Sequence, residues 1–477
     1  MAEIKKLDRA ELKANAQSFI EEYRKLKEIG FINQTGDFFP SVHYPPITMY
    51  QPITQEELFQ SYRIPDDGLF DIYAHIPFCA GRCLFCHYPV QLGPGQDSEK
   101  DRYLDALEKE MDIYMGVLGL DQIKARSILV GGGTPTYLTP AQLRRFLDYF
   151  VKRIDLSKVT QFNYDVDPNT LLGPEGEERL RIMRDYGVDR LTIGVQALND
   201  RTLGYMNRHH SVREALDSIE ASKKFGYKLN IEFIFGYPGQ TIDSWIDDIE
   251  MAMTLDVDEI QMYRLKVEAY GDYQGPVKNI IEKNTLRVLG DEETLMMKRI
   301  AIDMLKENGF TENIRRVFSR TKKDFSHYAW NQCCMLYDEL GFGLTAFSSL
   351  RDRFGLNTQS FEEYYALIEA GKLPLNRGLV RSEEQQERWG IILPLKNSYV
   401  QKKLYRERTG ESVDSVFTEK MARLKEHGLV VEDGQRISPT PLGAFFADEI
   451  VQQFHSPDYI PFAREEYKEG PLNPYLP

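Results

Sequence analysis

The chain has 477 residues, 42% of them hydrophobic and 28% charged, enough for two or three domains or one large domain with appendages. Its net charge of −14 argues against a nucleic-acid partner, which requires a basic face. The N-terminus MAEIKKLDRAELK lacks the apolar core of a secretory signal, and no segment offers the roughly 18 apolar residues of a membrane-spanning helix, so the expectation is a cytoplasmic protein without membrane contact.

A helix is expected over Arg9–Lys25, followed by a Pro- and Tyr-rich arm, FFPSVHYPPITMYQPI. Six short apolar runs then read as strands: FDIYAHI (70–76), SILVGGG (127–133), QFNYDVDP (161–168), DRLTIGVQ (189–196), LNIEFIFG (229–236) and DEIQMYRL (258–265). Their near-continuous apolar character fits a parallel sheet buried on both faces. Amphipathic helices separate them at 97–116, 139–154, 176–187, 211–226 and 241–256. Repeated strand–helix units predict an α/β fold, a full or partial barrel or an open doubly wound sheet, with every strand's C-terminal end on one rim.

After about residue 285 the pattern changes, and HYAWNQCCMLYDELGFGLTAFSSL follows a further helix. From about 382, helices and HGLVVEDGQRISPTPLGAFFADEI predict a winged-helix-like module with VVEDGQRIS as its wing, turned by Asp-Gly. The expected division is 1–69 (helix and arm), 70–285 (core), 286–380 (a segment completing the site) and 381–477 (C-terminal module).

Three of the five cysteines, Cys79, Cys83 and Cys86, lie in the stretch FCAGRCLFCHYP directly after the first strand. In a reducing compartment such a cluster holds metal rather than disulfides. Three thiolates leave one iron of a 4Fe–4S cluster open to another ligand. The alternatives are a zinc site completed by His87, or cysteines of the core. GGGTPT (131–136) is a backbone anion cradle or a tight strand–helix turn. Asp165, Asp167, Gln196 and Glu232 put polar groups at further strand ends, with Arg208 about three helical turns after Gln196. Asp167 reads equally as a cap, and Glu232 as a ligand-facing group or half of a buried salt bridge. His209 and His210 read as solvated or packed rather than as proton carriers. Cys333 and Cys334 read as small buried residues or as a thiol at the site, and Tyr44 and Tyr50 of the arm as caps on the cavity.

YAHIPFCAGRCLFC, GGGTPTYLTP, DVDPNTL, RLTIGVQALND, NRHH, FIFGYPGQT and ELGFGLTAFSSL follow one another as in the oxygen-independent coproporphyrinogen III oxidase family, which this chain resembles over about residues 70–350. That family is a branch of the radical S-adenosylmethionine (SAM) enzymes. The resemblance implies a partial (β/α)6 barrel of the TIM type, a 4Fe–4S cluster on Cys79, Cys83 and Cys86, and one or two SAM molecules. By motif, Tyr73, Gly132, Asp165 and Phe347 stand around the first SAM. Phe85, Gly133, Thr134, Gln196, Arg208 and Glu232 stand around the second. Asp165 replaces the family's usual Glu, Glu232 its usual Asp, and Phe347 a typically aliphatic or small residue. The resemblance also implies a flavodoxin- or ferredoxin-type electron donor, a small-molecule substrate such as a tetrapyrrole, and a monomer.

Tyr88 stands where the oxidases tend to carry a fourth cysteine. The heme-chaperone branch also lacks that cysteine, but it starts close to the HIPFC strand, whereas some 70 residues precede it here. The resemblance therefore points first to methyl or methylene transfer, as in the class C radical SAM methyltransferases. Coproporphyrinogen III decarboxylation, anaerobic heme opening or methylation, and a non-catalytic heme chaperone are the alternatives.

Overall fold

The computed structural model describes residues 4–36, 39–93, 97–269, 273–284 and 287–477. The chain opens with α1 (Arg9–Glu28), started by Asp8, whose carboxylate accepts from the N–H groups of Ala10 and Glu11. The core alternates β1 (Leu69–Ile76), α2 (Asp97–Leu118), β2 (Ile123–Gly132), α3 (Pro140–Arg153), β3 (Phe162–Val166), α4 (Gly173–Asp185), β4 (Arg190–Gln196), α5 (Val212–Lys224), β5 (Lys228–Phe235), α6 (Ile242–Thr254) and β6 (Glu259–Arg264). Thr139 and Ser211 start α3 and α5 with reciprocal capping boxes, each worth about 1 kcal/mol. All six strands run parallel to their neighbours in the order β1-β2-β3-β4-β5-β6. This matches the expected partial barrel: the arc continues at both edges instead of closing.

Further on lie α7 (Asp291–Glu307), β7 (Thr311–Ile314), β8 (Val317–Ser319), β9 (Glu339–Phe342), β10 (Phe347–Leu350), β11 (Arg353–Asn357) and β12 (Leu375–Val380). β8 pairs antiparallel with β6 and brings β7 with it. β9 adds to the opposite edge as a parallel neighbour of β1, aligning Tyr73 with Gly341. β10, β11 and β12 then extend that edge antiparallel. The period of two along each strand sorts its side chains. In β1, Ile72, Ala74 and Ile76 are buried in the apolar layer, while Asp71, Tyr73 and His75 share the interior face. The interior floor is polar. Arg190 donates to Asn163 at 2.5 Å and pairs with Glu259, and Asp71 accepts from Ser127 at 2.5 Å and Asn331 at 2.8 Å.

The C-terminal module contains α8 (Glu383–Asn397), β13 (Val400–Gln401), β14 (Val430–Glu432) and β15 (Arg436–Pro439). β14 and β15 form the expected wing, and the Asp433 carboxylate accepts from the N–H groups of Gln435 and Arg436 at 2.7 Å each. The expected boundary at 285/286 falls outside the described residues. Among the described residues no helix is long and apolar enough to cross a membrane.

Candidate functional site

Directly after β1, Phe78–Cys79 pairs with Gln91–Leu92, closing a loop that carries all three clustered cysteines. Each is a free, half-buried thiol. The Cys86 N–H donates to the Cys83 carbonyl at 3.2 Å, bending the chain between them. The Thr134 hydroxyl donates to Cys79 Sγ at 3.6 Å, and Arg208 Nη1 to Cys83 Sγ at 3.1 Å. His87 is engaged elsewhere: its Nδ1 accepts from the Gly275 N–H at 3.0 Å, which leaves Nε2 to donate to the Lys266 carbonyl at 3.0 Å. It is therefore no fourth ligand. Among the described residues no three His, Cys, Asp or Glu side chains converge on one ion. Three cysteines in one loop, without a fourth protein donor in place, suit a 4Fe–4S cluster with one open iron. Burial pushes the Cys79 thiol up to about 12 and raises that of Cys86, the reverse of what a bound cation does.

The triple glycine serves this loop. Gly132 has φ +120°, and a Cβ there would meet His75 Nε2 and the Ile76 carbonyl at 2.9 Å. A Cβ on Gly133 would meet the Phe78 carbonyl at 2.8 Å and Cys79 Sγ at 2.9 Å. The protein itself fills the space above both glycines, so they let the cysteine loop seat on the end of β2.

Beside the loop, the sequence-predicted polar residues share the interior face of the sheet. Tyr73 OH lies 2.9 Å from His75 Nδ1. Asp165 accepts from Asn163 at 3.1 Å, and burial, then nearby Glu232, raises its carboxyl to about 7. Glu232 accepts from Tyr263 OH at 3.1 Å and has no ion pair among the described residues; burial raises it too. Gln196 has φ +67° at a break in the β4–β5 register, a strain of about 1–2 kcal/mol. Tyr88 is 58% accessible, yet burial is the largest cause raising its phenol. Phe347 stacks 6.5 Å from Tyr73, while Phe85 packs on Met206, Ile234 and Tyr237.

Arg208 arrives differently from expectation. A single short helix, Asp200–Tyr205, and a left-handed Asn207 precede it, not three helical turns. Its Nη2 pairs with Asp167 at 2.6 Å and donates to the Gly194 carbonyl at 2.8 Å. Asp167 also accepts from the Asn169 N–H, so it is both cap and counter-ion. His210 is buried, held neutral at about 4 by desolvation, and lies against Arg208 with its Nε2 3.2 Å from the Val195 carbonyl. It packs, as expected, and His209 is exposed.

The arm corrects one expectation. Tyr44 does not cap the cavity: its hydroxyl accepts from the Ser456 N–H, and its ring packs on His455 and Tyr459. Tyr50 packs edge-on against Phe354. Among the described arm residues, His43 meets Phe347 ring to ring at 4.6 Å. Composition marked the arm as aromatic but not which ring turns inward. Tyr263, Arg316 and Tyr328 were also missed. Arg316 stacks over the Tyr263 ring at 5.0 Å, and Tyr328 donates to buried Glu339. Cys333 and Cys334 sit in a π-helical turn, Asn331–Met335, where Cys334 is buried and Cys333 half-buried, its thiol pushed by burial up to about 11.

Residues 73–252 match the family model of the radical SAM superfamily. The chain is 27% identical over 390 residues to the heme chaperone HemW of Bacillus subtilis, spanning 80% of this chain and 98% of that one. It is 22% identical over 433 residues to the oxygen-independent coproporphyrinogen III oxidase of Helicobacter pylori, spanning 86% and 92%. Its fold is similar to that of coproporphyrinogen III oxidase (HemN) from Escherichia coli, with a TM-score of 0.71 and 22% identity over 86% of this chain and 96% of that one.

Proposed function

Because the chain is a HemN-like radical SAM protein, with a 4Fe–4S cluster and SAM as its cofactors, we propose that it acts on a tetrapyrrole held in the barrel interior. The observation that carries this reading is the three-cysteine loop beside a sheet face that carries aromatic rings, Tyr73 stacked on Phe347 and Tyr88 accessible to a ligand. Flat aromatic walls match the face of a macrocycle.

When bound, the cluster and SAM would supply radical hydrogen abstraction at a substrate carbon. Cys79, Cys83 and Cys86 hold the cluster, and the Arg208 guanidinium offsets thiolate charge at Cys83. By motif, Tyr73, Gly132, Asp165 and Phe347 would stand around one SAM, and Phe85, Gly133, Thr134, Gln196, Arg208 and Glu232 around a second, the two glycines through backbone atoms only. Asp165, raised to about 7, can give or take a proton near neutral pH. Arg316, beside Tyr263, offers a partner for a substrate carboxylate. A flavodoxin- or ferredoxin-type donor delivers the electron to a monomer.

The relatives reported above are named as heme chaperones and coproporphyrinogen oxidases, so tetrapyrrole chemistry replaces methyl transfer, the first expectation from the sequence. A second reading, heme carriage without turnover, is favoured by the match over 98% of a chain named as a heme chaperone. Anaerobic reconstitution with SAM and a panel of coproporphyrinogen III and heme separates the two. Tetrapyrrole-dependent release of 5′-deoxyadenosine supports the enzyme, and tight heme binding without SAM cleavage supports the carrier. Failure to bind or consume any tetrapyrrole overturns both.

A further inference from the structure

The chain has eight histidines. Six have ring nitrogens in hydrogen bonds: His75, His87, His210, His327, His427 and His455. His209 lies in solvent. His43 is the exception. It is half-buried in the arm, and its ring nitrogens meet no hydrogen-bond partner among the described residues. The side chain is only half-buried, so part of it opens on accessible space. An imidazole withdrawn from bulk solvent without a partner forgoes about 1–3 kcal/mol of hydrogen bonding, a cost that a ligand can offset.

The ring is held from the side. Phe347 approaches it at 4.6 Å and 78°, and Phe354 at 4.9 Å and 63°. Phe347 stacks in turn on Tyr73 at 6.5 Å and 21°, on the interior face that carries the site. Edge contacts of this kind fix the ring plane and leave the nitrogens free. Burial, reinforced by the Lys396 ammonium, lowers the imidazole to about 3, so its lone pair is available throughout the neutral range. Neutral imidazole is a preferred ligand of iron.

We propose that His43 is an axial ligand to the iron of a heme bound against the Phe347–Tyr73 wall. This rests on the tetrapyrrole reading and goes beyond it, because it assigns the arm a bond to the substrate's metal and makes an iron porphyrin, rather than a metal-free one, the preferred occupant. Phe347, larger than the residue the motif leads one to expect, then serves both to orient His43 and to cover the macrocycle.

The test uses reconstituted, full-length protein titrated anaerobically with hemin and, separately, with iron-free protoporphyrin IX. Absorbance in the Soret region and electron paramagnetic resonance are the readouts. His43→Ala is expected to weaken hemin binding about 10–100-fold and to change the ferric spectrum, while protoporphyrin IX binding stays unchanged. Added imidazole restores the wild-type spectrum to His43→Gly, which shows that the variant is folded. Equal weakening of both porphyrins means a packing role and overturns the inference. So does a ferric spectrum unchanged in His43→Ala, although tetrapyrrole binding itself then stands. Absence of any porphyrin binding in the wild type removes the tetrapyrrole reading and the ligand together.

Discussion

Gly133→Ala probes the seat of the cysteine loop. The new Cβ would lie 2.8 Å from the Phe78 carbonyl oxygen, 3.0 Å from the Phe78 nitrogen and 2.9 Å from Cys79 Sγ. Two of these three are main-chain atoms, and neither can swing aside. The Gly133 N–H is bonded to the Ile76 carbonyl at 2.9 Å and the Thr134 N–H to the Phe78 carbonyl at 2.8 Å, so both partners are also tied. Restoring an ordinary contact of roughly 3.5 Å from 2.8 Å displaces Phe78–Cys79 by about 0.7 Å. Overpacking of this kind costs about 1–3 kcal/mol. For 477 residues at about 2.1 cal/mol/K each, the unfolding entropy is about 1 kcal/mol/K, so Tm falls by only about 1–3 °C. Cluster assembly is the more sensitive readout, because metal–ligand distances tolerate about 0.2 Å. Iron and sulfide content after anaerobic reconstitution should fall well below wild type. Gly116→Ala is the control: nothing lies within 4 Å of its Cβ, it sits inside α2, and the change should add about 0.5–1 kcal/mol with full iron. A Gly133→Ala protein with wild-type iron and unaltered Tm would refute the steric argument.

Serine at any one of Cys79, Cys83 or Cys86 should abolish the visible iron–sulfur absorbance, whereas Cys334→Ala, a buried thiol, should keep it. Arg208→Met breaks the 2.6 Å pair with Asp167 and removes the cation 3.1 Å from Cys83; the cluster's reduction potential should fall, read by a redox titration followed with electron paramagnetic resonance. An unchanged potential would show that Arg208 only braces the loop. Asp248 is buried, accepts from the Leu198 N–H at 3.1 Å, and has its carboxyl raised by burial from 3.8 to about 7. The folded state thus holds a proton that the unfolded state has released, so this group's contribution to stability is full below about pH 4, declines as pH rises to about 7, and is flat above. Asp248→Asn should remove that decline and be more stable than wild type at pH 8 by a few kcal/mol, measured by urea unfolding across pH.

The barrel was legible because its strands are apolar runs punctuated by glycine and capped helices, and each of the six runs became a strand. The cysteine loop was legible because ligand spacing is local. β9 was not: ELGF is four residues long, and its partner, β1, lies some 270 residues earlier. Nothing local marks a strand whose pairing is that distant. Asp165, Gln196 and Glu232 stood out as polar groups at or within apolar strands, but Arg208 was misplaced because a left-handed Asn207 follows its short helix. His43 was invisible beside Tyr44 and Tyr50, since a single turn of the backbone decides which ring faces inward.

The place of β9 also bears on biosynthesis. β1, which leads into the cysteines, is flanked on one side by β2 and on the other by a strand ending at Phe342. While the ribosome is still adding the residues between them, β1 has an open flank with unpaired amide and carbonyl groups. β1 therefore gains its second neighbour only after about 340 of the 477 residues have emerged, although the thiol loop at its tip meets the end of β2 much earlier. A fragment ending at 285 would keep all three cysteines and the six parallel strands, yet present a bare edge directly beside them, ready to pair with another copy instead of with its own missing strand.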